Sequence, residues 1–331
     1  MLTKLFNSNS ISSLAILIIL ALVLWSKTFT NVIPLYDTIP VSPLYKFVFT
    51  LLHEYKIISA FMTIALIITE ALLLNNILSE NDLIPRNSYL AAYIFVIISS
   101  LFSNFIILNP ILIINIFIIT VIGMFLPLYE KHEAYATVFN IGTLLSVASM
   151  FYLPSFIFVL LIWVGFIIYR IISWREWFIS ILGLIFPYIF LGTYYFWNDC
   201  LLSKIVSYKN ALSLINFQDF HLSLYTLIIV SFLGIILILS LFKFITTINE
   251  KQIKIRKFLS FIIWFFLISS ISLLPSVKYG ILSYMVMIPS ASVLITLYLS
   301  NAKKHLWAEG ILISLTLLLI AGRFGLLSLW T

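Results

Sequence analysis

The chain offers few side chains that could do chemistry, and Asp37 stands in the most constrained setting. It lies in "NVIPLYDTIPVSPLYKF", residues 31–47, just after the first apolar run. Pro34, Pro40 and Pro43 fix three backbone angles and restrict the residues before them. A loop so stiffened can hold a carboxylate in one place at low entropic cost. That suits a general base, which must stand within hydrogen-bond reach of its substrate's proton. The same "YDTIP" also has an ordinary turn composition, and Asp37 would then be a solvated turn residue. Glu70 is the second candidate, because it lies inside the apolar run 57–77. A carboxylate at membrane depth costs several kcal/mol, so it must be paired, protonated or turned toward a polar cavity. Glu70 would be a proton or substrate site in one case, and a snorkelling or internally hydrogen-bonded acid in the other.

Other chemistries lack their residues. There is no Walker loop, no GxGxxG and no HExxH, and the four histidines are scattered. No cofactor and no metal site is therefore expected. The lone cysteine, Cys200, cannot form an internal disulfide. Glu54, Asp199 and Asp219 read as solvated acids, and His53 beside Glu54 is no dyad, since adjacent helical residues point apart.

The elements that must position these groups are membrane helices. Of 331 residues 63% are hydrophobic and 9% charged, a balance no soluble surface carries. The apolar runs are continuous, whereas barrel strands would alternate. We expect an all-α, polytopic helical protein. About eleven transmembrane or partly spanning helices are expected, near 11–30, 57–77, 88–107, 109–128, 137–153, 155–172, 177–197, 222–245, 257–274, 280–299 and 307–326. The first is read as a retained helix rather than a signal peptide, because no small-residue cleavage site follows it. Pro154 breaks the fifth from the sixth, which could be one broken pair that does not fully cross. Residues 1–331 form a single transmembrane domain, since no polar stretch is long enough for a soluble core.

With a cytoplasmic N-terminus, twelve of the nineteen Lys and Arg residues fall inside and seven outside, as the positive-inside bias prefers. Two longer loops, near 31–56 and 198–221, then face outward. The net charge of +7 orients the chain and implies no nucleic-acid partner. The expected location is a bacterial inner (cytoplasmic) membrane, crossed several times. Trp25, Tyr129, Tyr152, Trp174, Trp177, Trp197 and Trp307 stand near span ends, as an interfacial aromatic belt does.

The layout resembles the C superfamily of membrane glycosyltransferases, which use polyprenyl-phosphate-linked sugars and commonly hold a catalytic Asp or Glu in the first outward loop. Residues 139–196 look like their middle section: a small-residue helix, a proline, an apolar helix, a basic turn and a further helix. "SVKYGILSYMVMIPSASVLITLYLS", 276–300, resembles the late Lys/Arg–Tyr–Pro element of the aminoarabinose and protein mannosyl transferases, with Lys278, Tyr284 and Pro289 at the matching positions. More of the chain resembles a family of polytopic membrane proteins from Bacteroidota. The matching phrases are "LIPRNSYLAAYIF" (83–95), "LNPILIINIFII" (108–119), "SMFYLPSFIFVLLIWVGFIIYR" (149–170) and "WREWFISILGLIFPYIF" (174–190). That resemblance implies phylum and membrane location and no activity.

Three functional readings follow. In the first, the chain is an inverting transferase whose donor is a polyprenyl-phosphate sugar. Asp37 is its base, and Lys278, Arg323 and Tyr284 hold the lipid phosphate, the arginine by a bidentate fork. The superfamily often pairs acids in the first loop, whereas Asp37 stands alone. That favours a second reading, a non-catalytic membrane subunit of an envelope assembly or secretion machine with a protein partner. The third is a lipid or solute transporter with Glu70 as coupling acid and 137–172 as a discontinuous helix.

Overall fold

A computed structural model describes residues 11–26, 29, 42–52, 54–86, 88–101, 108–130, 134–171, 173–213, 224–247, 252–272, 277–302 and 305–323. Among these there is no strand, and thirteen α-helices follow in order. They are α1 (Ile11–Trp25), α2 (Pro43–Leu52), α3 (Lys56–Glu80), α4 (Leu90–Ser100), α5 (Pro110–Phe125), α6 (Tyr135–Phe151) and α7 (Val159–Tyr169). Then come α8 (Trp174–Trp197), α9 (Leu201–Ser213), α10 (Leu224–Thr247), α11 (Ile253–Ile271), α12 (Ile288–Ser300) and α13 (His305–Arg323). Short 3-10 helices cover Leu126–Glu130 and Leu153–Phe158, and a longer one covers Val277–Met287.

Five segments are long and apolar enough to cross a membrane: Lys56–Glu80, Pro110–Leu128, Trp174–Trp197, Thr226–Thr246 and Leu282–Ser300. Each coincides with an expected span. The other six expected spans fall on shorter apolar helices or, for α11, on a helix whose first turn carries Lys254, Arg256 and Lys257. Three of these segments, on α3, α8 and α10, carry exposed hydrocarbon faces. On α8, Phe178, Ile181, Ile185, Ile189 and Phe190 are all exposed, an apolar surface suited to lipid and not to water.

α4 lies at the centre, with all eleven of its residues buried, packed by α1, α3, α12 and α13. Ala91, Ala92, Ser99 and Ser100 keep it slim, as Ser290, Ala291 and Ser292 do for α12, so backbones can approach. Hydroxyls here bond backward to their own helix. Ser100 donates to the Val96 carbonyl and Ser292 to that of Pro289, so neither is orphaned in an apolar interior. Trp25 departs from the aromatic-belt expectation. It is fully buried and its indole N–H donates to Ser100 Oγ at 2.8 Å, a core anchor for α1. Tyr152 is buried too, whereas Trp174, Trp197 and Trp307 are exposed as the belt requires.

The expected break at Pro154 is present. α6 stops at Phe151, Tyr152 is extended, and Pro154 opens the 3-10 helix that leads into α7. α7 then ends on Arg170 in the left-handed region (φ 61°), with the Ile171 N–H closing on the Phe166 carbonyl. Glu176, in the first turn of α8, accepts from Ser173 Oγ and from the Ala134 N–H at the start of α6. It therefore sits at the positive ends of two helices at once.

Contacts between helix ends sort them onto two faces. On one, Ala134 meets Glu176, Arg170 lies within electrostatic reach of Lys257, and Lys243 Nζ reaches the Asn301 carbonyl at 2.9 Å. This is the basic face that charge bias assigns to the cytoplasm. On the other, the Tyr45 hydroxyl donates to the Leu108 carbonyl at 3.2 Å, and Asn109 Nδ2 meets Met285 Sδ at 3.4 Å. There α2 and α9, from the two loops expected on the outward side, come together.

Candidate functional site

α2 and α9 build a polar cavity at that second face. The C-terminal end of α8 delivers them to each other through a sharp turn: Asp199 takes the left-handed conformation (φ 53°), and the Cys200 N–H donates to the Tyr195 carbonyl. An aspartate tolerates that conformation better than most side chains, which accounts for an acid at this position. Past the turn, Cys200, Lys204, Ser207 and Tyr208 recur at helical spacing, so one face of α9 is polar. On α2, Tyr45 is buried and tied down by its bond to Leu108, which leaves Lys46 and Thr50 on the cavity side.

The cavity has a volume of about 440 Å³. Ser42, Lys46, Tyr194, Tyr195, Asn198, Lys204 and Tyr208 are among its walls, and no carboxylate of the described residues lines it. Lys204 Nζ stands 5.8 Å from the centre of the Tyr195 ring. Burial pushes the Tyr208 phenol above its ordinary pKa, with the neighbouring Tyr195 and Tyr188 adding to the shift. It therefore stays a neutral hydrogen-bond donor across the physiological range. Ser42 is 2% exposed, and its hydroxyl has no hydrogen-bond partner among the described residues.

A second cavity is apolar and opens between α10, α11, α12 and the Val277–Met287 helix. Its volume is about 340 Å³, and Val230, Leu237, Ile238, Phe266 and Ile288 are among its walls. Ser270 and Tyr284 supply its few polar atoms. Gly234 faces open space, with nothing within 4 Å of where a Cβ would stand. The two cavities lie toward the same end of the bundle. Tyr45, beside Lys46, bonds to Leu108, and Asn109 bonds to Met285, which adjoins Tyr284.

Of the residues singled out from sequence, Asp37 lies outside the described residues, five positions before Ser42. Lys278 belongs to the Val277–Met287 helix and Arg323 closes α13, and the side chains of both are outside the described set. Tyr284 is half-buried and lines the apolar cavity. Glu70 is fully buried in α3, and neither carboxylate oxygen has a hydrogen-bond partner among the described residues. Neither cavity includes it.

Lys46 and Lys204 were missed as site residues, because sequence reading used them only to count charge. The recurrence of Cys200, Lys204, Ser207 and Tyr208 on one helical face was the available signal. It was hidden by treating 198–221 as a loop. No family model, curated protein or solved structure matches this chain. Fold and cavities alone define its class: a helical membrane protein with a polar and an apolar cavity near one end.

Proposed function

We propose that this chain is a multi-pass protein of a bacterial inner membrane that takes a sugar from a polyprenyl-phosphate carrier, in the manner of the C-superfamily glycosyltransferases. One observation carries the reading. The apolar cavity opens among membrane-depth helices, is walled mostly by hydrocarbon side chains, and is polar at Tyr284. The helix that supplies Tyr284 is an eleven-residue 3-10 helix, and 3-10 runs longer than about four residues are uncommon. Lys278 lies six positions before Tyr284 in the same helix. In this reading the prenyl tail fills the cavity. Lys278 and Tyr284 hold its phosphate with help from Arg323, and Asp37 deprotonates the acceptor hydroxyl.

The test begins with native mass spectrometry of the gently purified protein. A bound polyprenyl phosphate is expected, and it is lost in Gly234→Phe, which fills the cavity without a backbone clash. Asp37→Asn then abolishes transfer while leaving that lipid bound. A clean protein without the lipid sinks the proposal. A second reading, the non-catalytic subunit, draws on the outer face of α8, where Phe178, Ile181, Ile185, Ile189 and Phe190 are exposed. A second protein that co-purifies at fixed stoichiometry, with no prenyl lipid, would favour it.

A further inference from the structure

We propose that the polar cavity between α2, α8 and α9 is a binding site for a phosphate monoester, held by Lys46 and Lys204. The site stands on its own lining and does not rest on the transfer reaction.

The charge balance comes first. Two ammonium groups border one cavity of about 440 Å³, within the range of roughly 300–1,000 Å³ typical of small-molecule sites. Neither lysine forms an ion pair among the described residues. Asp199, the nearest acid in sequence, is turned into the helix-ending bend and does not line the cavity. Lysine binds phosphate as a point charge, and two lysines on facing helices suit a dianion better than a single carboxylate.

The neutral donors come second. The Ser42 hydroxyl is buried and unpartnered among the described residues, and it lies in the cavity wall. A buried polar atom without a partner calls for an explanation, and a bound anion supplies an acceptor for it. Ser42 immediately precedes α2, whose dipole favours negative charge at the same place. On the opposite wall Tyr208 donates its proton to Tyr195, which leaves the Tyr195 phenol as the donor toward the anion. By contrast, Ser207 and Thr50 already donate to the carbonyls of Lys204 and Phe47, so their protons are committed.

The phosphate could belong to a lipid headgroup or to a soluble ester. The cavity stands where α8 ends in Tyr194 and Trp197, both exposed in the way interfacial aromatics are. Either source can reach it.

Cys200 lines the cavity, is exposed and is the chain's single cysteine, so its alkylation rate reports occupancy directly. The full chain is placed in phosphatidylcholine nanodiscs and maleimide labelling is timed. In one arm inorganic phosphate is added against chloride at equal ionic strength. In the other, phosphatidic acid, a lipid phosphomonoester, is included in the disc. At ten times the dissociation constant, labelling should slow about tenfold. Protection in the first arm alone identifies a soluble ester, and protection in the second identifies a lipid headgroup. Lys46→Gln with Lys204→Gln should weaken protection about tenfold or more. Ser42→Ala, which removes no charge, should weaken it about fivefold. Lys209→Gln, an exposed lysine off the cavity, should leave it unchanged. Protection in neither arm overturns the proposal. So does protection that is equal in the wild type, the double lysine variant and Ser42→Ala.

Discussion

The closest backbone approach among the described glycines is at the crossing of α6 and α8, and it sets a sharp test of the packing. A Cβ added at Gly142 would stand 2.5 Å from the Ser180 carbonyl oxygen, 3.1 Å from the Leu184 nitrogen and 3.2 Å from the Gly183 carbonyl carbon. At Gly183 the added carbon would be 2.4 Å from the Phe139 carbonyl oxygen. All these neighbours are backbone, so no side chain can swing away. To restore even a 3.0 Å contact at Gly142 the helices must part by about 0.5 Å. That movement would stretch the Ser149–Tyr188 hydroxyl bond, 2.7 Å long, and loosen the Phe139–Phe186 edge contact on the same interface. Overpacking of this kind costs about 1–3 kcal/mol. Alanine returns about 0.8–1 kcal/mol as a better helix former than glycine. With the strained hydrogen bond included, the net loss for Gly142→Ala should be about 2 kcal/mol. The matched control is Gly192→Ala on the same helix α8, where nothing lies within 4 Å. It should be neutral, or stabilising by up to about 1 kcal/mol. The assay is unfolding of both variants and the wild type in one detergent, by heat and by denaturant. Gly142→Ala should unfold several degrees below Gly192→Ala. Because Gly142 and Gly183 share one contact, Gly142→Ala with Gly183→Ala should cost less than the sum of the two. Equal midpoints for Gly142→Ala and Gly192→Ala would refute the close crossing, and with it the placement of α8 that delivers α9 to the polar cavity.

Two further predictions concern buried polar groups. Asn109 is 1% exposed and caps α5: its Oδ1 accepts from the Leu112 N–H at 2.8 Å, and Pro110 follows at the first helical position. Asn109→Ala should destabilise by about 2 kcal/mol, the upper part of the range for a lost cap. Asn109→Ser should recover more than half of that in the same unfolding assay, and equal losses would show that the cap is not the cause. Glu70 behaves in the opposite sense. Neither oxygen has a partner among the described residues, so Glu70→Gln, nearly equal in shape, removes no hydrogen bond and should unfold within about 1 kcal/mol of wild type or above it. A loss of about 3 kcal/mol or more would instead mean that the carboxylate has an ionic partner.

Much of the fold was legible because hydrocarbon length is written into the chain. The five long helices fall on five expected spans, and Pro154 breaks the bundle where its missing N–H and fixed φ require. Trp25 shows where such reading stops. An aromatic at a span end has the composition of an interfacial anchor, and only the approach of Ser100, seventy-five residues away, makes it a core residue. Tertiary partners of that kind leave no local trace. Nor do three left-handed helix ends among the described residues, at Asp82, Arg170 and Asp199, since none of them is a glycine.

The site was legible in its parts and hidden in its assembly. A lone carboxylate among prolines attracts attention because its local setting is unusual. Two lysines in separate segments attract none, since each alone is an ordinary interfacial cation. What joins them is the bend at Asp199, after which 201–213 is a helix that shares a cavity wall with α2 rather than a polar loop. The cavity therefore depends on a residue that does not line it. The Asp199 side chain is exposed, as expected of a solvated acid, while its left-handed backbone sets the direction in which α9 leaves the end of α8 and so carries Lys204 to the cavity. The residue that sequence composition marks as an incidental acid is thus the one whose backbone conformation orients the second lysine of the cavity. An Asp199→Gly substitution separates the two roles: it keeps the left-handed bend and removes the acid, so it should preserve Cys200 protection by phosphate. Asp199→Val, whose branched side chain disfavours that conformation, should abolish it. Loss of protection in both would assign the acid itself, and not the bend, to the site.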